Sequence, residues 1–326
     1  KQKDRISITF YPEGGNLIQG LKSRVAFKTT GDNGENLIVA GNIVDEKNQV
    51  ITDIYTEYLG TGAFEFTPGP GKHVAKISYN NRDYTFELPA ALPEGYTMYT
   101  NNSDSTEVNI KIQRSPNIQT EPLGLSISCR GILYAFEIVN LTSESEVDLT
   151  LPKNMLPSGV SQITLFNPKG EILSERLIFT NHQSEMKITM SQNKNNFQPF
   201  EQVSMSFQLN DRKNNPVQTS FSLAVRDAGT SSVIPYADNA LTNLLLSSEL
   251  RGYIENPGYY FESNDFRRKQ AMELLLLTQG WKRYEWKEMT GVKPFNPVHP
   301  LEKELAIEGS VVSLLRKSKL KDVELM

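Results

Sequence analysis

Three histidines, one cysteine and a few glycine-rich turns are the residues of this chain that could do chemistry. His73, His182 and His299 fall in different units or linkers, so a metal site would need carboxylates converging on them across boundaries. No G-x-S-x-G elbow occurs, and Cys129 has no predicted histidine partner. Gly69-Pro70-Gly71-Lys72 has the outline of a phosphate loop, but His73 stands where Ser or Thr would bind magnesium; the stretch reads as a turn. Gly60-Thr61-Gly62 lacks the third glycine and the following helix of a dinucleotide fingerprint and reads as a strand entry. Cys129 continues the apolar face of Leu125 and Ile127, as a small buried hydrophobe would. Glu144, Glu146 and Asp148 alternate with apolar residues such as Val147 and Leu149, the pattern of a solvated face. Calcium, the other reading of those carboxylates, lacks its helix-loop-helix spacing here. No catalytic residue, metal or cofactor is expected, and the chain is not read as an enzyme.

Aromatic residues are the denser signal. Tyr253, Tyr259, Tyr260 and Phe261 precede a leucine-rich segment, and Trp281, Tyr284 and Trp286 follow it. Large aromatics dominate cores, which makes the block a small core pinning two leucine-rich helices against the third sandwich. The sharper alternative is an exposed patch of Tyr253, Tyr259, Tyr260, Phe261, Trp281 and Trp286 that binds a protein partner or a glycan.

The elements that must position these residues are mostly strands. Apolar residues alternate strictly, which places one face in a core and one in water. Val25 and Phe27 alternate with Arg24, Ala26 and Lys28; Phe64 and Phe66 flank Glu65; Tyr84, Phe86 and Leu88 follow. Val108-Ile110-Ile112, Leu123 to Cys129, Val147-Leu149-Leu151, Met186-Ile188-Met190, Val203 to Leu209 and Phe221-Leu223-Val225 continue the habit. Asp45-Glu46-Lys47-Asn48, Asn167-Pro168-Lys169-Gly170 and Asp211-Arg212-Lys213-Asn214 begin with a backbone-bonding residue and end on one that tolerates a left-handed conformation; Gly31 to Gly34 is a fourth hairpin candidate. After Asp227 the pattern turns helical. Asp238 is the expected cap of a helix carrying Leu241 and Leu244 to Leu246, and Asn264 or Asp265 that of a helix carrying Met272, Leu275 and Leu276 up to Gly280.

The chain has 326 residues with a formal charge of −4, 38% hydrophobic and 22% charged, as a folded protein has. A mildly acidic balance argues against a nucleic-acid surface. One cysteine excludes an intrachain disulfide, and no stretch is apolar enough to span a bilayer. Both ends look cut, so the chain reads as part of a longer protein. The expected class is mainly β, tandem antiparallel β-sandwiches with a helical insertion after the third. The expected units are 1–93, 94–183, and 184–292 with a helical segment about 238–280, followed by a proline-rich linker and first strands over 293–326.

Phe10-Tyr11-Pro12-Glu13-Gly14-Gly15-Asn16-Leu17 resembles the opening of the macroglobulin-type, immunoglobulin-like sandwich domains of large Gram-negative envelope proteins. Leu156 to Val160, Thr164-Leu165-Phe166, Glu175-Arg176-Leu177, Ser222 to Asp227, Gly252 to Pro257 and Leu277 to Trp281 are similar to the same group. The piece from Ile307 resembles the start of a carboxypeptidase-regulatory-like domain, a module that often precedes TonB-dependent receptor plugs. The resemblance implies export to the periplasm, outer membrane or cell surface, and a non-enzymatic scaffold or binding role with protein partners at the outer membrane. A surface binder of glycan or host protein is the alternative. A macroglobulin-type endopeptidase inhibitor is another, with its active elements outside this chain, because Cys129 is followed by Arg130-Gly131-Ile132 and not by the thioester motif.

Overall fold

A computed structural model describes residues 5–141, 144–182, 186–211, 213–223, 225, 234–279, 286–289, 291 and 293–294. Where alternation is strongest the chain forms strands: β1 (Ile6–Pro12), β2 (Ser23–Gly31), β3 (Ala40–Val44), β4 (Val50–Tyr55), β5 (Thr61–Phe66), β6 (Val74–Tyr79) and β7 (Arg82–Glu87). They pair in two sheets, β1-β2-β5 and β4-β3-β6-β7, antiparallel throughout. Phe10, Val25, Phe27, Ile43, Phe64 and Ile77 share one core drawn from both sheets. Each such side chain stabilises the fold by about 1.5–3 kcal/mol, which a single sheet open to water on both sides could not collect.

Seven further strands repeat the plan: β8 (Tyr96–Asn101), β9 (Glu107–Arg114), β10 (Leu123–Cys129), β11 (Ile132–Val139), β12 (Glu146–Pro152), β13 (Gly159–Phe166) and β14 (Ile172–Thr180). Their sheets, β8-β9-β12 and β11-β10-β13-β14, follow the first sandwich strand for strand. Met98, Ile110, Ile112, Leu125, Ile163 and Ile178 lie in their shared core. The predicted linker between them is tied down. Leu92 donates its N–H to the Leu17 carbonyl at 2.8 Å and accepts from Gln19 at 2.9 Å.

The turns form as their chemistry dictates. Asn48, Gly170 and Asn214 take φ of 67°, 76° and 64°, and Asp45, Asn167 and Asp211 each accept a backbone N–H through the side chain. Gly31 to Gly34 differs from expectation. It turns and makes one bridge, Thr30 to Asn36, after which the chain crosses to the other sheet and does not continue a hairpin.

Of the third predicted sandwich, the described residues show one hairpin, β15 (Lys187–Gln192) with β16 (Met205–Asn210). Phe221, Leu223 and Val225, read as a strand from their alternation, form none among the described residues, although Phe221 packs on Phe207 at 5.4 Å. Ile188, Met190 and Met205 are exposed. Period 2 marks the hairpin correctly, but among the described residues no second sheet covers its apolar face.

Helices follow. α1 (Ala240–Thr242) runs on into a π-helical turn, Asn243–Ser247. Its cap is Asn239 and not Asp238. Asn239 Oδ1 accepts from the Leu241 and Thr242 amides, and Thr242 Oγ1 accepts from the Asn239 amide, a reciprocal box that a cap one residue earlier could not close. A 3-10 turn, Pro257–Phe261, leads to α2 (Phe266–Thr278), capped by Asp265, which accepts from the Arg268 amide at 3.0 Å. The Ser263 hydroxyl and the Arg268 amide hold the Asp265 carboxyl down at about 2.

The chain divides into two compact units, Lys1–Glu285 and Trp286–Met326. In the second, α3 (Trp286–Met289) is described, with Lys293 paired to Glu288 at 2.9 Å. Gly280, Trp281, Tyr284, His299 and the strands read from Ile307 onward lie outside the described residues.

Candidate functional site: a helical clasp over two sandwiches

Glu13 sits just beyond β1, where Gly14, at φ +80°, turns the backbone toward the second sandwich. Gly14 bridges to Glu175 on β14, and a Cβ there would come within 2.0 Å of Ser174 Oγ. That close approach is what the Pro-Glu-Gly-Gly spacing provides. Glu13 is 5% exposed. It accepts from Arg24 Nε and Nη2 at 2.8 Å each, from the Thr100 amide at 3.0 Å, from Thr100 Oγ1 at 2.8 Å and from Arg176 Nε at 3.0 Å. Burial pushes its carboxyl up, and Arg176 and then Arg24 more than reverse this, so it titrates below its ordinary 4.5.

The network closes through α2. Glu273 Oε1 accepts from Arg24 Nη2 at 3.2 Å and from Arg176 Nη2. Arg24 also donates to the Thr100 carbonyl at 2.8 Å and lies 4.6 Å from the centre of the Tyr99 ring. Two guanidiniums and two carboxylates thus balance in a largely buried seam between β2, β8, β14 and α2. Arg24 was expected on a solvated face. It and Ala26 are instead shielded, because the second sandwich and α2 cover the far side of β2, and Ala26 is 0% exposed. Buried ions persist only when paired and hydrogen-bonded. The charges of the seam are paired with one another across the two sandwiches and α2, and hold those elements together.

A second contact set backs the ions. Leu246, Leu250, Ile254, Tyr260, Ala271, Met272 and Leu276 form a core with Val160 and Leu177 of the second sandwich. Tyr58, in the turn before β5, stacks on Tyr259 at 4.4 Å and meets Tyr260 edge-on at 5.9 Å. Phe261 meets Phe179 of β14 edge-on at 5.6 Å. Burial drives the Tyr58 hydroxyl up to about 12 and that of Tyr260 higher still. The helices were expected to pin against the third sandwich. They pack on the first two, because Tyr58 and Phe179 supply the aromatic partners there.

Of the aromatic patch, Tyr253 is 85% exposed, Tyr260 is buried, and Tyr259 and Phe261 are half-buried in this core. Trp281 lies outside the described residues, and Trp286 opens α3 in the second unit. His73 is buried against Phe66 at 5.3 Å, and His182 Nε2 lies 2.7 Å from the Leu156 carbonyl. Gly71, at φ 97°, forms a turn in which the Lys72 amide donates to Glu46. Cys129 is buried, which pushes its thiol up. Glu146 and Asp148 share Lys111 on a solvated face. Among the described residues no three His, Cys, Asp or Glu side chains converge as a metal site would, and no helix is long and apolar enough to cross a membrane.

No protein-family model matches the chain, and no curated protein matches it. Solved structures do. E. coli alpha-2-macroglobulin in its native conformation is similar over 66% of this chain and 14% of its own length, at 13% identity and a TM-score of 0.24. A tetra-tandem repeat from the extending region of a large adhesion protein is similar over 66% of this chain and 62% of its own, at 13% identity and a TM-score of 0.27. Domains 4–9 of the surface layer protein SbsC are similar over 66% and 38%, at 10% identity and a TM-score of 0.29. The chain therefore spans less than two thirds of each of these proteins, by the shares of 14%, 62% and 38%.

Proposed function

We propose that this chain is a stiff, non-enzymatic scaffold segment of an exported cell-envelope protein, lying beside an outer-membrane, TonB-dependent transport or surface assembly and binding protein partners there. One observation carries the reading: two sandwiches of identical strand order are locked together by the Glu13 seam and by α2. A locked pair of slabs transmits position and orientation, which a scaffold needs, and its polar groups are consumed in holding itself together. The motifs that resemble envelope macroglobulin domains, Phe10 to Gly15 and Glu175 to Leu177, supply Glu13 and Arg176 of that seam. On this reading the units are 1–93, 94–183 and 184–292, with 293–326 leading into a carboxypeptidase-regulatory-like domain. Cross-linking in intact cells, then fractionation, tests it: the protein is expected in the outer-membrane fraction, joined to a partner. Recovery as an unlinked cytoplasmic protein rejects it.

The high exposure of Tyr253 favours a second reading, a surface binder of glycan or host protein. Retention on a glycan array, lost in Tyr253→Ala, would support that reading over the first.

A further inference from the structure

A groove of about 390 Å³ opens in the helical segment, between residues 234–239, which lead into α1, and the turn at 258–262 before α2. That volume is in the range of small-ligand sites. Its walls are fixed from behind. Gly258 donates its N–H to the Tyr236 carbonyl at 2.9 Å, and a Cβ on Gly258 would come within 2.8 Å of the Tyr236 backbone. Tyr236 takes φ of 56°, a left-handed value that costs a bulky residue energy. Behind Asp238 lies the π-helical turn, whose Ser247 hydroxyl, with that of Thr242, donates to Asp238 Oδ1.

The groove offers a ligand both donors and acceptors. Asp238 Oδ2 has no partner among the described residues. Asn239 spends Oδ1 on the Leu241 and Thr242 amides, so the first amides of α1 are consumed, while its Nδ2 has no partner among the described residues. Glu262 pairs with Arg268 and lies 3.4 Å by each oxygen from the Tyr236 hydroxyl. The Tyr236 ring, 40% exposed and edge-on to Tyr259 at 5.6 Å, and the exposed Ile234 add apolar surface. A cation would leave the Asn239 donor unmatched, and an anion would meet the Asp238 and Glu262 carboxylates. A hydroxyl both donates and accepts, so adjacent hydroxyls suit an acceptor and a donor on adjacent residues. A pyranose carries them round an apolar C–H face that packs on an aromatic ring. We propose that this groove binds a neutral hexopyranose unit of a glycan, with Asp238 accepting from one hydroxyl and Asn239 donating to its neighbour. The groove becomes the contact site of the second reading above, on which this rests, in place of Tyr253.

Binding of the whole chain to an array of neutral and acidic oligosaccharides tests this. Neutral hexose-terminated glycans are expected to be retained over sialylated and sulfated ones. Asp238→Asn and Asn239→Asp are each expected to weaken retention about tenfold, and the two together to abolish it. Both substitutions keep the oxygen that accepts the bonds of α1, so the urea midpoint should stay at the wild-type value. In the wild type the retained glycan should slow amide exchange at 236–239 and 258–262, a readout independent of the variants. Undiminished retention by the double variant, or protection elsewhere, overturns the groove as the site and leaves the glycan reading standing. No retention by the wild type overturns both. Preference for acidic glycans overturns the neutral sugar, and so does protection of the groove by an arginine-rich peptide and by no glycan.

Discussion

Glu13 takes its donors from both sandwiches, and removing its charge leaves two largely buried guanidiniums with Glu273 as their one remaining carboxylate in the seam. Breaking a buried ion pair from one side costs about 3–5 kcal/mol. Glu13→Gln is therefore expected to lower the unfolding free energy by about that amount, read from the shift of the urea midpoint. The pH dependence has a fixed sign. A carboxyl lowered by folding contributes stability above its unfolded value, and this is lost as pH falls through the folded one. Urea midpoints are thus expected to fall as pH drops below 4.5, and this part of the fall to vanish in Glu13→Gln. Gly14→Ala is expected to destabilise too, since its Cβ would meet Ser174 Oγ at 2.0 Å and φ is +80°. A thermal melt unchanged by that substitution would contradict the close approach.

At the scale of elements, α2 departs from a surface helix. Ala271, Met272, Leu274 and Leu276 are all buried, an arc wider than one stripe, because the helix packs against strands of both sandwiches. Met272→Ala empties part of the shared core and is expected to cost about 2–5 kcal/mol. Hydrogen exchange distinguishes the mechanism: α2 amides should lose protection while those of β2 and β9 keep theirs. Most strands were legible because Val25-Phe27, Val108-Ile112 and Val147-Leu151 alternate cleanly. β10 alternates as clearly, yet both its faces are buried, since Phe166 lies against Gly124 on the outer side. Alternation reports chemistry and not whether a second layer arrives. The cap of α1 was missed by one residue because Asp238 and Asn239 are both good caps, and Thr242 decided between them.

For the whole molecule, the legible part was the pair of sandwiches from β1 to β14, and the illegible part was what joins them. Glu13, Arg24, Arg176 and Glu273 stand far apart in the chain, in a motif, two strands and a leucine run. Their local signals are a glycine pair after Glu13, an arginine between Glu175 and the apolar run from Leu177, and a lone acid before Leu274 to Leu277. None of these names its partner. If the seam sets the angle between sandwiches, Arg176→Met should enlarge the radius of gyration in small-angle scattering at neutral pH. An unchanged radius would mean that the aromatic contacts alone hold the angle.

The seam also imposes an order of assembly. A nascent chain extended through Thr180 already carries Arg24, Arg176 and Glu13, a site with one positive charge to spare. Neutrality comes only with Glu273, nearly a hundred residues later. Since domains fold as they emerge from the ribosome or a translocation channel, the early sandwiches must wait, incompletely docked, for a late helix to cancel that charge.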